Sequence, residues 1–293
     1  MKQKSIFLFL SLIILLLVTY IIIDKKLNVS ESSTSSADRG YMNSKNENYN
    51  INELVDTWKE LQESFNLEKN SIENQNNFLS LSHRIEKNIL QAKIHPERVT
   101  YQEGFFYEPI TDKIKARING LSYKEDCTVP YEDLRYLNVL YCNFDGESTT
   151  GEIICNKAIA QDLVEIFYEL YLNDYPIEKI KLIDEYNADD DLSCAENNTS
   201  SFNYRVVGGT TKLSKHALGL AIDINPFYNP YVTYPNGVER ISPPGSEPYA
   251  NRNADLPYMI KKGDLCYNLF IQHGFTWGGE WNTLKDYQHF QKK

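Results

Sequence analysis

The 293-residue chain has few of the residues that build thiolate metal sites or nucleic-acid surfaces. It has five cysteines, and no two of them form a CxxC pair, so a thiolate zinc site has no support. Basic residues are in deficit: the net charge is −10, whereas binding to a phosphate backbone needs a basic face. The composition therefore argues against a nucleic-acid partner. The cysteines are expected to be small buried residues with at most one disulfide.

Long apolar runs are also absent, except for one at the N-terminus. Ser5–Ile23 is 19 residues long and carries no charge. At about 1.5 Å per residue, such a helix spans the roughly 30 Å hydrocarbon core of a bilayer. No small-residue cleavage site follows it, so residues 1–26 are predicted to be an uncleaved, single-pass membrane anchor.

Two segments of different composition follow the anchor. Residues 27–50 are rich in Ser, Asn and charge, which predicts a flexible linker. Residues 51–96 contain apolar residues at helical spacing, which predicts a helical stalk. The stalk either packs on the main domain or binds a partner. Residues 97–293 form the predicted globular domain.

Within that domain, turn signals and periodicity predict mixed helix and strand. A hairpin is expected around Asp145-Gly146, and one helix is expected to follow it. An acidic loop at 189–191 and a long loop at 231–256, which resembles a lid or a binding wall, are also expected. The predicted regular elements are strands at 136–144, 151–156 and 180–183 and a helix at 158–172.

A histidine and a carboxylate stand close together in the middle of the chain. His216 and Asp223 lie in SKHALGLAID, where the alternation of 221–224 predicts a short buried strand with Asp223 on one face and the isoleucines on the other. A buried carboxylate needs a compensating partner, and a cation supplies one.

A second histidine stands near the C-terminus. Asp286 and His289, three residues apart in DYQHF, are expected on one side of a helical turn. His216, Asp223 and His289 would make a three-ligand zinc set whose fourth position is left for water. Asp286 is the candidate general base, with Glu280 as an alternative. Among the other histidines, His273 is the one competing ligand.

These motifs resemble a known family. S-x-H-x-x-G-x-A-x-D, W-G-G-x-W and D-x-x-H-F are similar to the motifs of peptidase family M15, the VanY-like D-Ala-D-Ala carboxypeptidases and L-alanyl-D-glutamate endopeptidases. The resemblance extends from about Gly104 to Phe290. It implies an α+β fold, hedgehog/DD-peptidase-like, with helices packed on a small antiparallel sheet.

The resemblance also implies roles for individual residues. One zinc ion would be held by His216, Asp223 and His289, with Asp286 as base and acid. Arg205 would stabilise a carbonyl oxygen or a substrate carboxylate, although a salt bridge to the acidic loop would also explain it. Ser214 would line the substrate pocket, or would simply be a turn residue.

The implied function is hydrolysis of peptidoglycan stem peptides outside the cytoplasmic membrane, with the anchor keeping the enzyme at the wall. Whether the D-Ala-D-Ala or the L-Ala-D-Glu bond is cut stays open, as does the oligomeric state. Two other classes are considered: a catalytically silent, metal-stabilised binding module, and an envelope assembly factor acting through its stalk. Three ligands and a base argue against the silent module, because a structural zinc site would fill its fourth position from protein.

Overall fold

The computed structural model describes residues 97–208 and 210–293, which form an α+β fold of small antiparallel sheets and a few short helices. The five helices of this part of the chain are α1 Asp112–Ile118, α2 Lys157–Leu172, α3 Asp190–Ala195, α4 Glu247–Ala250 and α5 Leu265–Gln272. Its strands are β1 Val99–Gln102, β2 Phe105–Pro109, β3 Leu134–Cys142, β4 Ser148–Asn156, β5 Lys179–Ile180, β6 Asn198–Thr199, β7 Ala221–Asp223, β8 Tyr231–Thr233, β9 Arg240–Ser242, β10 Thr276–Trp277, β11 Lys285–Asp286 and β12 His289–Gln291.

The largest sheet has the strand order β1-β2-β3-β4. Its β3–β4 hairpin confirms the prediction made from Asp145-Gly146, and the turn is held by Asn143, whose side chain accepts hydrogen bonds from the amides of Asp145 and Glu147. The helix predicted after the hairpin is α2. Asn156 caps it by accepting a hydrogen bond from the Ala158 amide at 3.0 Å, which satisfies one of the free donors at the helix start.

There are two further three-stranded sheets in the described residues, with the strand orders β10-β12-β7 and β11-β8-β9. Their strands all come from residues 221–291, which include the C-terminal motifs. In the first of these two sheets, β7 and β12 are antiparallel, with His289 directly opposite Asp223. The expected alternation in β7 is confirmed, because Ile222 and Ile224 enter the main hydrophobic core. Phe290 enters the same core from β12 and stacks on Phe270 of α5 at 4.2 Å.

A second core lies beneath the segment that carries His216. It contains Ile114 and Ile118 of α1, Ile154 of β4 and Ala217. Because Ala217 is fully buried there, the short 3-10 turn His216–Leu218 is fixed on this core, while β7 and β12 are fixed on the main core. Each candidate ligand is thus fastened by the apolar residue next to it.

Three local expectations are corrected. Residues 189–191 are not a loop: Asp189 caps α3 by accepting a hydrogen bond from the Leu192 amide, so the acidic run begins a helix. The 231–256 segment is not structureless, since it contains β8, β9 and α4. Asp286 and His289 are not on a helical turn but on two strands, because Phe290 must reach the core and Asp286 pairs with β8.

The predicted anchor, linker and stalk, at 1–26, 27–50 and 51–96, lie outside the described residues. Within 97–293, Gly209 apart, no helix is both long enough and apolar enough to cross a membrane. All five cysteines are free thiols, so the possible disulfide is not formed, and Cys142, Cys155 and Cys266 are buried as expected.

Gly219 ends the 3-10 turn of His216 and packs against Asn156 at the end of β4. This close contact leads to a prediction about stability. Gly219 adopts φ +65°, and a Cβ there would stand 2.6 Å from the Asn156 backbone nitrogen. Left-handed backbone alone costs a residue with a side chain about 1–2 kcal/mol. We expect Gly219→Ala to lower the free energy of unfolding by more than about 2 kcal/mol, since a backbone clash adds to that strain.

The control is Gly120→Ala. Gly120 has φ +78° but nothing within 4 Å of its would-be Cβ, so this variant carries the strain without the clash. Urea unfolding followed by circular dichroism measures both. If the two variants lowered the free energy of unfolding by equal amounts, the close packing of Gly219 against Asn156 would be contradicted.

Candidate metal and catalytic site

His216, Asp223 and His289 converge on one point. His216 Nε2 lies 3.1 Å from His289 Nδ1, and the two oxygens of Asp223 lie 3.2 Å from His216 Nε2 and 3.0 Å from His289 Nδ1. His216, His289 and Asp223 are only 4%, 6% and 5% exposed. One potential ligand atom from each lies within 4.8 Å of the other two.

The spacing fits a small tetrahedral metal ion. Zinc binds nitrogen and carboxylate oxygen at about 2.0–2.2 Å, so two ligands on a tetrahedral zinc stand about 3.3–3.5 Å apart. The observed contacts of 3.0–3.2 Å need only a small outward movement to meet that distance. The three residues therefore form a set that could hold one divalent cation.

The second nitrogen of each imidazole is held by a carbonyl oxygen. His216 Nδ1 donates to the Ser201 backbone carbonyl at 2.6 Å, and His289 Nε2 donates to Gln291 Oε1 at 3.0 Å. These contacts fix the tautomers, so that His216 Nε2 and His289 Nδ1 present lone pairs to the shared centre. Outer hydrogen bonds of this kind are typical of metal-binding histidines.

The charges at this point favour a cation. Burial by itself would raise the pKa of Asp223, but the His216 and His289 imidazoles outweigh it and lower the pKa. Burial by itself would lower the pKa of His289, but hydrogen bonding and attraction to Asp223 raise it to about 9. Without a metal, a proton satisfies the converging lone pairs. A divalent metal held by His216, Asp223 and His289 would take the place of that proton and would supply a larger positive charge.

Asp286 stands at the edge of this group. Burial raises the pKa of its carboxyl to about 7; the nearby His289 opposes the rise and the Asp223 carboxylate adds to it. A bound cation acts in the opposite direction and lowers this pKa. Gly278 explains the approach of this strand, because a Cβ at Gly278 would lie 2.5 Å from the Asp286 carbonyl oxygen.

Arg205 is close enough to Asp223 to be affected by its charge. Its NH2 group pairs with Asp190 Oδ2 at 2.7 Å, which is the salt bridge to the acidic run that the sequence allowed. Burial opposes the Arg205 charge, but Asp190 and Asp223 more than compensate and raise its pKa. Ser214 accepts a hydrogen bond from the His216 amide at 3.2 Å, which is the turn role foreseen for it.

Three other candidates are engaged elsewhere. Glu280, the alternative base, is exposed and accepts hydrogen bonds from Lys262 at 2.7 Å and Tyr267 at 2.9 Å. The competing ligand His273 ends α5 and contacts Asp162 at 3.1 Å. Arg252, in the 231–256 segment, is mostly buried and donates to the backbone carbonyls of Tyr249 and Ile260.

Unsatisfied polar atoms point to the same place. In the described part of the chain, four buried side-chain atoms have no hydrogen-bond partner: Asn203 Oδ1, Arg205 Nε, Asp286 Oδ1 and Gln288 Oε1. Folded proteins rarely leave such atoms unpaired. Asp286 and Gln288 precede His289 along the chain, while the Asn203 amide donates to the His216 carbonyl and Arg205 is within range of the Asp223 charge, so the free donors and acceptors lie beside the candidate ligands.

Gln291 is a site residue that the sequence analysis missed. The signal was available, since residues two apart on a strand share a face. We expect Gln291→Ala to weaken zinc binding about 10–100-fold, because the His289 ring loses its orienting acceptor. Gln291→Glu keeps an acceptor and serves as the matched control. Competition with a chelating dye measures both affinities, and equal affinity in the wild type and Gln291→Ala would contradict the role.

Comparison with known proteins agrees with this geometry. Residues 208–292 match a family model described as D-alanyl-D-alanine carboxypeptidase. No curated protein matches the chain. No solved structure matches it either. The matched segment contains all three candidate ligands and Asp286, whereas Arg205 lies just before it. The part of the chain that carries the converging histidines and aspartate is thus similar to peptidase family M15, as its motifs indicated.

Proposed function

We propose that the chain is a zinc metallopeptidase that hydrolyses an amide bond in peptidoglycan stem peptides. The observation that carries the proposal is the convergence of His216, Asp223 and His289 in a buried position, with both imidazoles oriented through their other nitrogens. The family match supports peptidase chemistry. The donor set of two nitrogens and one carboxylate suits zinc and leaves one position open.

When bound, the ion supplies Lewis acidity that polarises a carbonyl and brings the pKa of a water molecule towards neutrality. The protein's own residues handle the proton. The deprotonated Asp286 carboxylate accepts it from the attacking water and then donates it to the leaving amine. A buried, unpartnered Oδ1 atom on Asp286 supports this role, since it has a free acceptor position to offer.

The position of Arg205 favours a substrate that has a carboxylate close to the bond that is cut. The Nε atom of Arg205 is buried and unpartnered, while its NH2 group is fixed by Asp190. A held guanidinium binds a carboxylate or a developing oxyanion well. The terminal D-alanine of a stem peptide presents such a carboxylate, and with the description of the matched family this favours D-Ala-D-Ala carboxypeptidase activity. The L-Ala-D-Glu bond is the second candidate, because D-glutamate has a carboxylate too.

The wider architecture is part of the proposal. The 19-residue uncharged run supports a single-pass membrane anchor, with the peptidase domain outside the cytoplasm and a stalk between them. The hedgehog/DD-peptidase-like form of the α+β fold also remains a proposal. Membrane fractionation with an alkaline wash tests the anchor, since a peripheral protein is released by the wash and an integral one is retained.

Digestion of purified muropeptides tests the activity. We expect loss of one terminal alanine, abolition of cleavage by a chelator and recovery on adding zinc, with masses read by mass spectrometry. Release between alanine and glutamate would move the assignment to the endopeptidase. No cleavage by the zinc-loaded protein would favour a silent binding module. Cleavage by the domain without its stalk would separate catalysis from an assembly role.

Two substitutions separate metal binding from proton transfer. Asp286→Asn is expected to keep the metal and to lower kcat by about 10²–10⁴-fold, because an amide cannot accept the proton. His216→Ala is expected to lose both metal and activity. Metal content by mass spectrometry and turnover of muropeptides measure the two effects.

The matched control for the carboxylate is Glu280→Gln. Glu280 is exposed and bound to Lys262, so its neutralisation should leave turnover unchanged. Full activity in Asp286→Asn together with loss in Glu280→Gln would transfer the role of base to Glu280.

A further inference from the structure

Tyr231 lies directly opposite Asp286 in the β11-β8-β9 sheet. The two residues are register partners in the antiparallel β8–β11 pair, next to the pair Val232–Lys285. Opposed residues on antiparallel strands have Cβ atoms about 4.5–5.5 Å apart and point to the same face. Val232 is buried on the other face. The Tyr231 ring therefore stands on the face from which Asp286 reaches the candidate ligands.

The Tyr231 hydroxyl makes no hydrogen bond with the described part of the chain, although Asp286 lies opposite. A tyrosine side chain is several bonds longer than an aspartate side chain, so its hydroxyl extends past the carboxylate. The ring is half-buried, and its pKa is raised first by burial and then by Asp286, while Arg205 opposes the rise. The phenol thus stays protonated at neutral pH and lies within the fields of both Asp286 and Arg205.

The free groups near the ligands divide into acceptors and donors. The unpartnered buried atoms of Asn203, Asp286 and Gln288 are oxygens, whereas Arg205 Nε is the one donor among the four. A carbonyl oxygen that gains negative charge during hydrolysis needs donors. The Tyr231 hydroxyl is a second donor: Tyr231 lies opposite Asp286 and is within range of the Arg205 charge.

We propose that Tyr231 is an additional catalytic residue, whose hydroxyl donates a hydrogen bond to the carbonyl oxygen of the scissile amide as that oxygen becomes anionic. The inference rests on the proposed peptidase function and extends it by one residue. Donors aimed at developing charge strengthen in the transition state more than in the bound substrate. The effect should therefore appear in kcat rather than in KM.

The test is Tyr231→Phe in the full-length, zinc-loaded chain in mild detergent. The substitution keeps the ring and removes only the hydroxyl. We expect kcat for muropeptide cleavage to fall about 10²-fold, as for removal of one oxyanion donor, with KM, zinc content and melting temperature little changed.

The matched control is Tyr234→Phe, three residues along the same hairpin. Tyr234 is 47% exposed and its hydroxyl contacts Glu239, so the control removes a phenol outside the site. It should match the wild type in every measurement.

A binding experiment gives a readout that does not depend on turnover. A phosphinate analogue of D-alanyl-D-alanine carries anionic oxygens where the reacting carbonyl would be. Calorimetry should show about tenfold weaker binding of this analogue to Tyr231→Phe than to the wild type, and equal binding of the product D-alanine.

The outcomes separate this inference from the proposed function. Wild-type cleavage together with unchanged kcat and analogue affinity in Tyr231→Phe overturns the role of Tyr231 alone. Absence of both cleavage and analogue binding in the zinc-loaded wild type overturns the peptidase assignment, and the role of Tyr231 with it. A fall in zinc content or melting temperature that accounts for the whole loss of activity would make Tyr231 a structural residue, which also contradicts the proposal.

Discussion

The described structure depends on the close approach of three buried polar groups that need a positive charge, either a proton or a metal ion, among them. Two imidazole lone pairs and a carboxylate face each other at 3.0–3.2 Å in a place almost closed to solvent. Buried groups of this kind are stable only when a positive charge lies among them. The hydrogen bonds from the outer nitrogens to Ser201 and Gln291 prevent the rings from turning away.

Packing keeps those groups together. Ile222 and Phe290 hold their strands in the main core, and Ala217 holds the 3-10 turn of His216 on the second core. Gly219 allows that turn to lie against the end of β4, where its carbonyl accepts a hydrogen bond from the Asn156 amide at 2.8 Å. The same Asn156 caps α2, so the longest helix of the described residues and the candidate metal site share one junction. A rigid scaffold of this kind suits a site that needs precise geometry.

The C-terminal motif has a physical explanation in this arrangement. In WGGEW, Gly278 leaves room for the Asp286 backbone, and the Trp281 ring lies 5.3 Å from the His289 ring. Trp277 donates to the Tyr287 carbonyl at 2.8 Å, which fixes the segment between Asp286 and His289. The motif therefore positions the proposed base relative to the ligands, while Glu280, its charged member, faces solvent and Lys262.

The sequence by itself determined the candidate ligands, two candidates for the base, the β3–β4 hairpin and the long helix after it, because these follow from local pattern and residue type. Only the tertiary structure decided which of several equivalent groups lie together. Spacing could not distinguish Asp286 from Glu280 or His289 from His273, and it placed Asp286 and His289 on a helix. Local periodicity does not reveal strand pairing, and it was pairing with β7 and β8 that set both residues on strands and brought Gln291 and Tyr231 beside them.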